Sequence, residues 1–117
     1  MLGSWTTTPD AISPQAVDRY LRAFTPEAIS CICAEYRAAF HIDRPMDAED
    51  REAGREIRCP LLVHWGAEEG SMSDGPLVVW RRWAKDVQGG PLPSGHFLPE
   101  EAAEDLVASL RSFLSQG

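Results

Sequence analysis

His96 is the residue in this chain best placed to do chemistry. It follows Gly95 in the run SGHFLPEE (residues 94–101), just after a short segment with strand character. An imidazole titrates near neutrality, so it can take a proton from water and return it within one reaction. A glycine before it lets the backbone turn sharply and present the ring. The bland alternative is a loop histidine with no role; the position after a strand favours the catalytic reading. His41 and His64 lack that setting. His64 alternates within an apolar run and reads as a structural or partly exposed ring.

The other reactive side chains promise less. Cys31 and Cys33 are two apart and so point to different sides of a helix, and Cys59 stands alone. No disulfide framework or metal-ligand spacing emerges, so no metal and no cofactor is expected. Unpaired cysteines suit a reducing compartment, which predicts a cytoplasmic protein. Glu68 and Glu69 follow an apolar run and read as a solvated loop, with an acid that orients a histidine as the minor alternative. Tyr36 falls on the apolar face of its segment, so by spacing alone it is core with a satisfied hydroxyl.

These residues need elements to hold them. Ser13-Pro14 and Thr25-Pro26 each combine an N-cap side chain with proline at the first helical position. Val17, Tyr20, Leu21 and Phe24 share one helix face, and Ile29, Ile32, Cys33, Tyr36 and Phe40 continue at helical spacing. The pattern predicts two helices over residues 14–40 with a sharp turn near Thr25. Residues 41–58 are charged and weakly periodic, a surface connection with room for one short helix. CPLLVHW (residues 59–65), ending at Gly66, reads as a buried strand. Residues 67–75 are a loop. Residues 76–84 read as a helix with Leu77, Trp80 and Trp83 inward, and residues 87–92 as a second strand that two glycines weaken. Pro99-Glu100-Glu101 opens a last helix with its acids at the positive end of the dipole, and Leu106, Leu110, Phe113 and Leu114 give it an apolar stripe.

Strand, helix, strand, loop, helix is the order of an α/β unit with parallel strands and a right-handed crossover. Ligands bind such sheets beyond the carboxyl ends of the strands, where both His96 and the 66–75 loop would lie.

Bulk properties exclude several classes. The chain has 117 residues, 44% hydrophobic and 25% charged, which is ordinary for a globular domain. Its net charge is -7 and its basic residues are scattered among acids, so neither nucleic acid nor an anionic membrane surface is an expected partner. No apolar run is long enough to span a bilayer, and residues 1–10 carry no signal-peptide pattern.

Four segments carry a family resemblance: AEYRAAF (residues 34–40), CPLLVHWG (residues 59–66), VVWRRWAKDVQGG (residues 78–90) and SGHFLPEEA (residues 94–102). They resemble the haloacetate dehalogenases, α/β-hydrolases that remove halide from short haloacids such as fluoroacetate. GHF-x-x-EE with the upstream tryptophan pair is fairly specific to that group, whereas CP-x-L-x-x-WG marks α/β-hydrolases in general. The resemblance implies that an Asp carboxylate attacks the carbon bearing halogen, and that a histidine activates water to hydrolyse the resulting ester. His96 matches that histidine. A cap tyrosine that donates to the departing halide is matched by Tyr36. Arg37 is not matched to the arginines that hold the substrate carboxylate.

The resemblance covers nearly the whole chain but only the C-terminal portion of such enzymes. Residues 1–56 correspond to the end of a helical cap and its connection, and residues 57–117 to the end of the hydrolase core with an incomplete sheet. No nucleophile elbow is present: the nearest approach, residues 70–74, has Met72 at its centre. The leading expectation is therefore a hydrolase fragment that acts on a small haloacid only when an N-terminal half completes it. The rivals are a noncatalytic module that docks on a full-length homologue, and a fragment of an ester or epoxide hydrolase. Open sheet edges and uncovered apolar faces also predict poor stability or homo-oligomerisation of the isolated chain.

Overall fold

The computed structural model describes residues 5–8, 10–69 and 75–115. The expectations for residues 70–74 fall outside the described residues. The chain divides into two compact units: Ser13–Glu56, and the described parts of Met1–Ile12 together with Ile57–Gly117.

In Ser13–Glu56 the helix starts follow the sequence. Helix α1 spans Pro14–Ala23, with the Ser13 Oγ accepting from the Ala16 N–H at 3.2 Å. Helix α2 spans Pro26–Ala38, with the Thr25 Oγ1 accepting from the Ala28 N–H at 3.2 Å. Each hydroxyl satisfies a backbone donor that the first helical turn leaves unpaired. Beyond α2 the expected surface connection carries its one short helix. It winds through a π-helical turn, Ala39–Asp43, directly into α3, Arg44–Glu52. Pro45 lies in the first turn of α3, where its missing N–H costs little, and the wider π turn precedes it.

In the other unit, β1 (Leu61–Gly66) and β2 (Val87–Leu92) pair in parallel, with Leu61 opposite Val87 and Gly66 opposite Leu92. The glycines of β2 prove compatible with pairing. Gly89 takes φ +121°, and a Cβ there would lie 2.0 Å from the Val63 carbonyl oxygen. Between the strands, α4 covers only Pro76–Trp80. The sequence predicted a helix to Ala84. Instead Ala84 bridges Ile57 in parallel, and the Ile57 N–H donates to the Trp83 carbonyl at 2.7 Å, which extends the strand pairing backward. Trp80 consequently stays 40% exposed rather than inward, while Leu77 and Trp83 are half-buried.

The final helix is also interrupted. Helix α5 (Leu98–Glu101) ends at Ala102, whose ψ of 41° breaks the ladder, and α6 (Ala103–Leu114) follows. On α6, Leu106 and Phe113 are half-buried, whereas Leu110 and Leu114 remain exposed. His64 ties α6 to the sheet: its Nδ1 meets the Gly90 carbonyl oxygen at 2.8 Å and its Nε2 meets the Ser109 Oγ at 2.7 Å. With Nδ1–H donating to the carbonyl, Nε2 accepts from the serine hydroxyl, so this ring is used structurally.

Candidate active-site loop around His96

The loop after β2 is the best-buried part of the described chain. Ser94 is 1% exposed, and Gly66, Gly95 and Ala102 are buried around it. The Ser94 carbonyl accepts from the Glu68 N–H at 3.2 Å, so the loops after the two strands are joined at the carboxyl end of the sheet. This is the end at which parallel sheets place their ligands.

Two glycines make that junction possible through close approach. A Cβ on Gly66 would lie 2.0 Å from the Gly95 carbonyl oxygen. A Cβ on Gly95 would lie 2.5 Å from the Trp5 carbonyl oxygen and 3.1 Å from the Glu101 Oε1. The sequence suggested that Gly95 serves a sharp turn. Its φ is not among the positive values, so its use is to admit other backbone and a carboxylate.

His96 itself is exposed. Its backbone N–H donates to the Trp5 carbonyl at 2.9 Å. Its ring lies 4.9 Å from the Trp5 ring centroid and 5.3 Å from that of Phe97, the latter edge-on at 87°. The imidazole is thus flanked by two aromatic rings and open to solvent, an arrangement in which it can reach water or a bound reactant.

The Glu101 carboxylate sits behind the loop. Its Oε2 accepts from the N–H groups of Thr7 at 2.8 Å, Thr8 at 3.0 Å and Gly95 at 3.2 Å, and from the Thr7 hydroxyl at 3.0 Å. Its Oε1 accepts from the Phe97 N–H at 3.3 Å. Burial raises the carboxyl pKa, but the donations from Thr7, Gly95 and Thr8 outweigh it and hold the group down at about 2. Neither Glu101 nor Trp5 was singled out in the sequence. The available signals, an acid in the first turn of a helix and the last position of GHF-x-x-EE, say nothing of a partner more than 90 residues away.

The other expected site residue belongs to the other unit. Tyr36 lies on α2 in Ser13–Glu56 and is 77% exposed, so it is not core among the described residues. Arg37 is on the same helix and Glu68 is exposed in the turn after β1. Cys31, Cys33 and Cys59 are unpaired and exposed. Among the described residues no group of three His, Cys, Asp or Glu side chains could hold a metal ion, and no helix is long and apolar enough to cross a membrane.

Comparison with known proteins agrees with this architecture. No protein-family profile matches the chain. An α/β-hydrolase, provisionally so named, from Nostoc sp PCC 7120 superposes with a TM-score of 0.89 at 40% identity, covering 99% of this chain and 40% of that one. A mutant of an epoxide hydrolase, also provisionally named, from Pseudomonas aeruginosa gives a TM-score of 0.82 at 37% identity, covering 92% of this chain and 37% of that one. The two parallel strands and their helices are therefore part of an α/β-hydrolase fold, and the chain belongs to that class. Within it, the sequence is similar to the haloacetate dehalogenases: a fluoroacetate dehalogenase from a Burkholderia species is 32% identical over 98% of this chain. The chain spans 38% of that relative's length.

Proposed function

We propose that this chain is the water-activating, C-terminal part of a haloacid dehalogenase, and that its substrate is a short 2-haloacid. The observation that supports it best is the placement of His96, solvent-exposed on a buried loop at the carboxyl end of two parallel strands. In this reading an Asp carboxylate, supplied by sequence outside these residues, attacks the carbon bearing halogen. The carbon–halogen bond breaks, halide leaves with its electron pair, and an ester joins substrate to enzyme. His96 then takes a proton from water as the water oxygen attacks the ester carbonyl. The tetrahedral intermediate collapses with cleavage of the acyl–oxygen bond, and the imidazolium returns the proton to the departing hydroxyacid oxygen. Tyr36, as part of a helical cap that here comprises Ser13–Glu56, since residues 5–8 belong with the strands rather than with the 1–56 cap expected from sequence, donates its phenol hydrogen to halide as charge develops.

The test pairs this chain with the N-terminal part of the Burkholderia relative and measures halide release from fluoroacetate. Release that needs both parts supports the assignment. A His96→Ala chain should give one round of halide release and leave a covalent ester on the partner's aspartate, visible as a mass increase. Steady turnover by that variant would remove His96 from the mechanism. The name given to the Pseudomonas relative carries a second reading, epoxide hydrolysis, which uses the same water activation; epoxide opening without halide release would favour it. Tight binding to an intact relative with no gain in rate would favour a noncatalytic docking module.

A further inference from the structure

We infer that Glu101 is the positioning residue for His96: one carboxylate fixes the histidine loop from behind by accepting the backbone N–H groups on either side of it, and ties that loop to residues 5–8. This rests on the reading of His96 as the water-activating base.

Three consecutive N–H groups, those of Gly95, His96 and Phe97, are aimed inward. The first and third go to Glu101, at 3.2 and 3.3 Å, and the middle one to the Trp5 carbonyl at 2.9 Å. Such a run of N–H groups forms a concave anion site. Here the chain's own carboxylate fills it. The same carboxylate takes three donations from Thr7 and Thr8, and so holds the segment whose Trp5 carbonyl and ring meet His96. Every N–H that fixes the backbone of residues 95–97 therefore depends on Glu101 directly, or through residues 5–8. Charged acceptors make stronger hydrogen bonds than neutral ones, which suits a carboxylate in this place. Glu101 touches no reacting atom in this scheme; it acts by limiting where the imidazole can be.

Gly95 and Gly66 are consistent with the same device. The space that their missing side chains leave is taken by the Trp5 carbonyl, the Glu101 carboxylate and the Gly95 carbonyl. Larger residues would push the loop off its anchor.

The test is backbone and imidazole NMR of the full 117-residue chain, as wild type, Glu101→Gln and Thr7→Val. In Glu101→Gln, hydrogen-exchange protection of the Gly95, His96 and Phe97 amides should fall by about tenfold or more, and the His96 ring protons should lose the shift imposed by the Trp5 indole. Amides of the β1–β2 pairing should keep their protection. Thr7→Val, which removes one hydroxyl donor and keeps both backbone donors, should give a smaller loss. In the wild type the amide signals of Thr7, Thr8, Gly95 and Phe97 should move together as one carboxylate titrates well below the ordinary range, and this common movement should vanish in Glu101→Gln. Unchanged protection and ring shifts in Glu101→Gln would overturn the inference. Equal loss across the β1–β2 amides would overturn it too, by making Glu101 a general structural residue. A variant that does not fold is bypassed by the wild-type titration, in which four amides moving independently has the same overturning force. Loop order and halide release are separate readings, so steady turnover by His96→Ala would refute the base while leaving the grip intact.

Discussion

Around His96 the chain buries Gly66, Ser94, Gly95 and Ala102, whereas none of the helical elements of Ser13–Glu56 has a buried residue. The first region is made of small residues packed backbone to backbone and pinned by a carboxylate. The second is made of helices held by their own ladders and by two hydroxyl caps, with Leu21, Phe24, Tyr36 and Phe40 each more than half exposed at 66%, 52%, 77% and 61%. A loop that must hold an imidazole in place is built by long-range hydrogen bonds. The helices leave wide apolar faces, the kind of surface that marks a contact with other protein.

The contrast is sharpest in what a single methyl group does. Gly66→Ala sets a Cβ 2.0 Å from the Gly95 carbonyl oxygen, with backbone on both sides unable to yield. We expect a loss of about 3 kcal/mol in denaturant unfolding. Gly90→Ala, where nothing lies within 4 Å, should be close to neutral. Similar losses for the two would break the distinction between a packed junction and an open strand.

Acid separates the regions next. Glu101 is held at about 2 in the folded chain, against an ordinary carboxylate value of 4.5. Between those two values the unfolded chain binds more protons, so its contribution is complete above 4.5 and is lost as pH falls toward 2. Unfolding midpoints measured across that range should fall with acid in the wild type and fall less in Glu101→Gln. Glu27, at the start of α2, is also lowered, by its own backbone N–H and then by the Thr25 side chain. Both partners are local, so acid there should fray only the first turn of α2, and Glu27→Gln should leave the pH dependence of the strand-bearing unit unchanged.

The smallest effect on stability is expected on the exposed helix faces. Leu21→Ser with Phe24→Ser should alter unfolding by about 0.5 kcal/mol or less. The same pair should lower the sedimentation-average mass at high concentration if those faces drive self-association. A large loss of stability with no change in mass would mean that the faces are core.

Much of this was legible because it is local. Ser13-Pro14, Thr25-Pro26, the apolar run ending at Gly66 and the position of His96 after β2 all announce themselves within a few residues. The boundaries that sequence misplaced were set by distant partners. Ala84 leaves its helix because Ile57 offers a parallel bridge, and Trp80 turns outward with it. The short helix allowed for in the charged stretch after Phe40 is present, and only its continuity with α2 through a local π turn escapes apolar periodicity. Glu101 was readable as a helix-start acid, yet its grip on Thr7 and Thr8 was not, since no local pattern encodes a partner at the opposite end of the chain.

That grip has a kinetic side. Ser13–Glu56 is an excursion whose two ends both return to the strand-bearing unit. Joining Thr7 to Glu101 closes a loop of 94 residues, the separation at which their hydrogen bonds form. The entropy of closing a loop grows only slowly with its length, but the ends must find each other before any bond rewards the search. The β1–β2 pairing and α6 involve shorter separations and should assemble first. Residues 5–8 then arrive last, and the histidine loop stays loose until they do. Under stress the order reverses: this latch should open while the sheet behind it is still intact.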